Sequence, residues 1–191
     1  MDAITLLKAD HKTVEKLFRQ YEKLGDGASK GKAGVVDKII EELSIHAAIE
    51  EQVFYPATRS KVSDASDDVL EALEEHHIVK WVLSELERMQ PSDERFNAKV
   101  TVLMESVRHH VEEEEGDLFP KVRTALGRKA LGEIGQQLEA AKKSAPTRPH
   151  PRSPDTPPGN VVAGTVAGAV DKVVKVGKDA AKRTRKATTG N

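Results

Sequence analysis

A chain of 191 residues without cysteine can hold no disulfide, thiolate metal site or cysteine nucleophile, and its length suits one domain with a real core. Charged residues make up 32% and aromatics only 4%, the balance of an all-helical protein. The net charge of −1 conceals an asymmetry: from Lys142 onward eleven Lys/Arg meet three Asp/Glu, a net of +8, so the body before it carries −9.

Four segments with helical periodicity follow one another. The first places Ile4, Leu7, His11, Val14, Phe18 and Tyr21 on one face, in steps of three and four. A glycine-rich stretch from Gly25 to Gly34 separates it from the second, whose stripe is Val36, Ile39, Leu43, His46, Glu50 and Val53. Pro56 and the polar residues through Asp68 are expected to end that helix. The third stripe is Val69, Leu73, His76, Val79, Leu83 and Leu86, stopped by Pro91. The fourth is Val100, Leu103, Val107, His110, Glu114 and Leu118, with Pro120 closing or kinking it. Short connections between long amphipathic helices make antiparallel neighbours, so the expected fold is an all-α, up-down-up-down four-helix bundle over residues 1–125. A short extra helix is expected over 126–143.

The composition then changes. Six prolines between Pro146 and Pro158 make a linker, and a small, apolar stretch leads to the basic run Lys182 to Lys186. Residues 144–191 are thus expected to be a Pro-rich linker and a disordered or marginally helical solvated basic tail. Contact of its basic end with nucleic acid or an anionic membrane is the alternative; no aromatic residue interleaves the charges to stack on bases. Asp2, Lys8 and Asp10 interrupt any apolar signal core, and no stretch is apolar enough to span a bilayer, so a cytoplasmic location is expected.

The chemistry lies in a repeat. The segment from His46 through Glu50 and Glu51 to Tyr55 and Pro56 recurs as His110 through Glu114 and Glu115 to Phe119 and Pro120. Four residues make a little over one helical turn, so each His shares a face with its first Glu. Upstream of each copy lies a matching pair, Asp10 with His11 and Glu75 with His76. His11, His46, His76 and His110 all fall on the inner stripes, whereas His109 faces solvent, His77 is ambiguous and His150 sits in the linker. Glu50 and Glu114 fall on the stripes too, with no Lys or Arg at those inner positions to neutralise them. Burying free carboxylates costs several kcal/mol each, by an order-of-magnitude reckoning, so two cations bridged by these glutamates are expected. Glu51 and Glu115 lie farther round and read as surface or outer groups. Nitrogen and oxygen donors without sulfur suit iron or manganese, with zinc a third choice.

These motifs resemble the hemerythrin-like family of His–His–Glu cation-binding domains, over about residues 1–125. The resemblance implies a four-helix bundle around two non-haem iron ions with a bridging oxo or hydroxo species. It makes His11, His46, His76 and His110 terminal ligands and Glu50 and Glu114 the bridges. Oxygen-carrying members of that family use a fifth His four residues beyond the third-helix His, where this chain has Lys80. Tyr21, Tyr55 and His77 are the candidates for the open position; Tyr55 lies on the wrong face of its helix unless Pro56 unwinds that turn. No acid–base side chain stands out, although Tyr21 could serve. The implied function is binding or reduction of a small oxidant (O2, H2O2 or NO), including catalase-like breakdown of peroxide. A non-enzymatic iron or oxygen sensor or carrier is the alternative, and a zinc-filled structural bundle the third reading.

Overall fold

The computed structural model describes residues 1–25 and 27–188, with side chains described through Val174. The basic run Lys182 to Lys186, and with it the expected contact with nucleic acid or lipid, lies outside the described side chains. Helix α1 spans Ala3–Glu22 and starts where the Asp2 carboxylate accepts hydrogen bonds from the Thr5 N–H and hydroxyl, the usual answer to unpaired donors at a helix start. Helix α2, Ser29–Ile49, runs into a π-helical turn over Glu50–Phe54 and then α3, Tyr55–Lys61. Helix α4 spans Ser66–Leu86, with Asp67 and Asp68 in its first turn suiting the helix dipole. Helix α5, Phe96–Glu113, enters a second π-helical turn, Glu114–Leu118, and continues as α6, Phe119–Lys142. Helix α7 spans Gly159–Thr188. The result is the expected all-helical bundle, in which α2 with α3, and α5 with the start of α6, each act as one rod. Among the described residues no helix is long and apolar enough to cross a membrane.

Two features of these rods depart from expectation. Neither Pro56 nor Pro120 ends its helix: each comes directly after a π-helical turn, near the start of the next helix, where a missing N–H costs least. The extra residue in each π turn also shifts the register. The apolar stripe predicts Val53 inside, but the chain buries Phe54 and Tyr55 more deeply; in the second copy Leu118 is buried as its stripe expects, and Phe119 joins it. The fourth rod breaks at Gly127, whose φ of 69° is open to glycine at little cost.

Beyond Gly127, α6 packs on α1. A β-carbon at Gly135 would come within 2.2 Å of the Met1 carbonyl oxygen and 2.9 Å of the Ala3 nitrogen, so only glycine permits this approach. Gly135→Ala is expected to cost about 2 kcal/mol by the usual penalty for overpacking. Gly132→Ala, with nothing within 4 Å, is expected to gain a few tenths of a kcal/mol or more from helix propensity. Urea denaturation of the two variants checks the contrast.

The core is two apolar clusters. One gathers Ile4, Leu7, Phe54, Tyr55, Leu73 and Phe119; the other gathers Val14, Phe18, Ile39, Leu43, Leu83 and Leu103. Along the helices, His11 falls between Leu7 and Val14, His46 between Leu43 and Ile49, and His76 between Leu73 and Val79. A polar layer therefore crosses the bundle where the two clusters meet.

The described part of the C-terminal segment differs from a solvated tail. Asn160 and Asp171 are buried. Asp171 accepts hydrogen bonds from the Thr147 and Arg148 N–H groups at 2.9 and 3.1 Å, and Arg148 pairs with Glu87. The Asn160 side chain donates to the Glu51 carbonyl at 2.9 Å. In the π turn the Tyr55 N–H reaches the Glu50 carbonyl. The next donor, which would have served Glu51, is absent because residue 56 is proline. Asn160 supplies it, which gives α7 a physical reason to begin against the bundle.

Candidate metal centre

The polar layer assembles two imidazole pairs. His11 Nε2 and His46 Nε2 lie 3.1 Å apart, and His76 Nε2 and His110 Nε2 lie 3.2 Å apart. Two nitrogens each about 2.1 Å from one ion, at a right angle, would be separated by about 3 Å. The glutamates span the pairs. Glu50 Oε2 lies 3.1 Å from His46 Nε2 and 3.4 Å from His76 Nε2. Glu114 Oε2 lies 3.3 Å from His11 Nε2 and 3.6 Å from His110 Nε2. The donors fall into two groups, His11–His46–Glu50–Glu114 and Glu50–His76–His110, with the ligand atoms of each within 4.8 Å of one another. All six residues named from the sequence thus meet in one buried layer.

Behind the histidines stands a ring of carboxylates with the same twofold pattern. Glu115 meets His11 Nδ1 at 2.9 Å, Glu51 meets His76 Nδ1 at 3.2 Å, and Glu75 meets His110 Nδ1 at 2.7 Å. Asp10 approaches His46 Nδ1 to 3.8 Å and accepts from Lys142 Nζ. A carboxylate behind an imidazole fixes its tautomer, turning Nε2 toward the centre as an electron-pair donor. Glu51 and Glu115 therefore belong to the support of the site. The equivalent roles of Asp10 and Glu75 were not read from the sequence, although an acidic residue before the upstream His in both halves was the available signal.

The residues fit a pair of cations. Both Glu50 carboxylate oxygens and Glu114 Oε2 are buried with no hydrogen-bond partner, although buried polar atoms are nearly always paired. Burial, and next the charge of Glu114, pushes Glu50 well above the usual carboxylate range. Burial also acts on Glu114, but the nearby imidazoles of His110 and His11 outweigh it and hold it at about 2. Burial pushes His46 down to about 4, which keeps it neutral and able to donate its lone pair. His110 goes the other way: burial opposes protonation, but Glu114 and Glu75 outweigh it and raise the imidazole.

Of the candidates for the open position, only Tyr55 reaches the layer. The π turn carries it inward, with no unwinding at Pro56 needed; its hydroxyl donates to Glu114 Oε1 at 3.0 Å and lies 3.3 Å from His76 Nε2. At the matching place in the other half, Phe119 stacks on His11 with ring centroids 5.8 Å apart, so the phenol oxygen has no counterpart there. Tyr21 is elsewhere, donating to Asn97. His77 accepts from the Trp81 indole, outside the layer. His109 pairs with Glu113 at the surface, and His150 faces Asp171. Lys80 holds Glu51 with its ammonium 2.8 and 3.0 Å from the two oxygens, so it steadies the support of His76.

Residues 2–122 match the family model of the hemerythrin HHE cation-binding domain. The chain belongs to that family. A hemerythrin-like protein of Schizosaccharomyces pombe is 30% identical over 138 residues, 72% of this chain and 68% of its own length. A protein of Nostoc named a DNA nickase is 28% identical over 148 residues; the match covers 78% of this chain but only 41% of that protein. A crystal structure of a hemerythrin HHE cation-binding domain protein of Mycobacterium kansasii superposes with a TM-score of 0.64 at 26% identity, covering 75% of this chain and 86% of that one. This hemerythrin-like domain therefore presents a cation-binding fold with a His/Glu cluster positioned to hold metal.

The unequal histidines predict unequal release of metal in acid. A proton on a ligand imidazole excludes the ion, so a raised pKa brings competition at higher pH. The ion between His76 and His110 is expected to leave first as pH falls through the ordinary histidine range. The ion between His11 and His46 is expected to leave later, because burial lowers His46. Bound metal measured against pH after rapid desalting checks this; one step for both ions would contradict it.

Proposed function

We propose that this hemerythrin-like domain binds two non-haem iron ions and uses them to bind or reduce a small oxidant such as O2, H2O2 or NO. The observation that carries the reading is a cavity of about 550 Å3 between α1 and α5 that ends on His11, His46, His76 and His110. Its walls are apolar, with Val14, Phe18, Leu43, Val79 and Val107 among them, so it favours small uncharged molecules over ions. Arg108 lies across the seam, paired with Glu15 and Glu22 and stacked over Phe18. Charged side chains thus meet water at the rim while the interior stays apolar, as a site that must exclude bulk water requires.

Two bound irons would supply two one-electron changes against such a molecule. The chain's own residues do the rest. Carboxylates at hydrogen-bond distance hold His11, His76 and His110 by Nδ1, and Asp10 stands 3.8 Å behind His46. The buried Tyr55 hydroxyl, raised well above the usual phenol range by burial and then by the charges of Glu114 and Glu50, keeps its proton at the layer. It can steady a carboxylate or donate a hydrogen bond there, which makes it a better candidate for proton handling than Tyr21.

The test is iron per chain, with the visible spectrum and oxygen evolution after peroxide is added to the reduced protein. Two irons per chain with oxygen evolution support an oxidant-consuming enzyme. Two irons that colour with O2 but turn over nothing favour the sensor or carrier. No iron, or zinc alone, overturns the redox reading.

A further inference from the structure

We propose that the cleft between α4 and the second π-helical turn is the port through which a hydrated divalent cation reaches the buried centre. The inference rests on the metal-binding reading of that centre and concerns how the ion arrives. The cavity between α1 and α5 is less suited to that task, because its wall is largely apolar and its carboxylates, Glu15, Glu112 and Glu115, are outnumbered by four Lys and Arg side chains. On another face of the same layer, a smaller cleft of about 100 Å3 has the opposite character. Asp68, Glu71, Glu75, Glu113 and Asp117 line it, and no Lys or Arg does. Lys121 pairs with Asp68 from the side.

The acidic rim alone would mark only a solvated surface. The deciding feature is that His110 and Glu114, members of the buried cluster, also line this cleft. Glu114 is 2% exposed and keeps Oε2 without a hydrogen-bond partner, 3.6 Å from His110 Nε2. Carboxylates therefore extend from the solvent-facing rim to an unpaired buried oxygen at the centre. Between them stands Glu75, with Oε2 on His110 Nδ1 and Oε1 3.9 Å from the exposed His109. Together Glu75, His109 and Glu113 place three ligand atoms within 4.8 Å of one another, a loose set suited to brief capture. A concave surface of one charge sign raises the local concentration and capture rate of a counter-ion by roughly 10- to 1000-fold, and the gain falls with salt. Hard cations also exchange water for carboxylate oxygen more readily than for an apolar wall.

The experiment tracks uptake of Co2+ by metal-free protein in a stopped-flow spectrometer, where the visible bands of the bound ion report arrival at the site. The test variant is Glu71→Gln/Glu113→Gln/Asp117→Asn, which alters none of the six clustered residues or the carboxylates behind them. Its uptake rate is expected to fall at least tenfold and to lose most of its salt dependence, with the final Co2+ per chain unchanged. A control removing acidic charge elsewhere, Glu133→Gln/Glu139→Gln, should load at the wild-type rate, as should Arg108→Ala at the apolar opening. An unchanged rate in the triple variant, or faster loading in Arg108→Ala, overturns the port. Failure of the wild-type protein to bind Co2+ at equilibrium would instead overturn the metal-centre reading on which it rests.

Discussion

Replacing Glu50 by glutamine is expected to lower affinity for both metal ions more than about 100-fold, while leaving the metal-free protein as stable as wild type or more so. The two halves of this result have one cause. Glu50 Oε2 is within 3.4 Å of imidazoles from both pairs, so its loss weakens both half-sites at once. Substitutions behind metal ligands already cost about 10- to 100-fold in affinity, and a shared direct ligand should cost more. Without metal, the same carboxylate is buried with both oxygens unpaired and its pKa forced upward, a burden that a neutral amide of the same shape relieves. Calorimetric metal titration and thermal melts of both forms check the pair of effects. A variant equally destabilised with and without metal would make Glu50 a structural residue only. Glu51→Gln is the graded comparison: it loosens the backing of His76 and frees Lys80, so affinity should fall but the number of ions at saturation should not.

Removing the metals should lower the melting temperature on the order of 20 °C. Each ion present at about 1000 times its dissociation constant adds roughly 4 kcal/mol to the folded state. Two ions add about 8 kcal/mol, and a chain of this size shifts by about 2–4 °C per kcal/mol. The layer sits where the two apolar clusters meet, so its loss is felt by both. Chelated protein should melt lower and recover on adding Co2+ or Fe2+. A melting temperature indifferent to metal would mean that the carboxylates find other partners and that the cluster does not couple ions to folding.

Much of this was legible in the chain. Apolar stripes in steps of three and four locate the bundle helices, and a buried His or Glu stands out on a stripe because nothing else polar shares it. Periodicity could not reveal the two π turns, since one added residue leaves the stripe before it intact and only displaces the residues beyond it. That is why the stripe puts Val53 inside and Tyr55 outside, and why the phenol beside Glu114 came from the structure. The supporting carboxylates escaped for a different reason. Asp10 and Glu75 serve histidines on other helices, a relation fixed by packing across the bundle. The seating of α7 depends on a single carbonyl left without a donor by Pro56, which no composition or stripe records.

With metal bound, His11, His46, Glu50, His76, His110 and Glu114 are proposed to hold two ions in one layer. Anomalous scattering at the iron edge from crystals of the iron-loaded protein tests it most directly. Two peaks are predicted, one between His11 and His46 and one between His76 and His110, with Glu50 and Glu114 touching both. A single peak, or peaks only among surface carboxylates such as Glu75 and Glu113, would contradict the account.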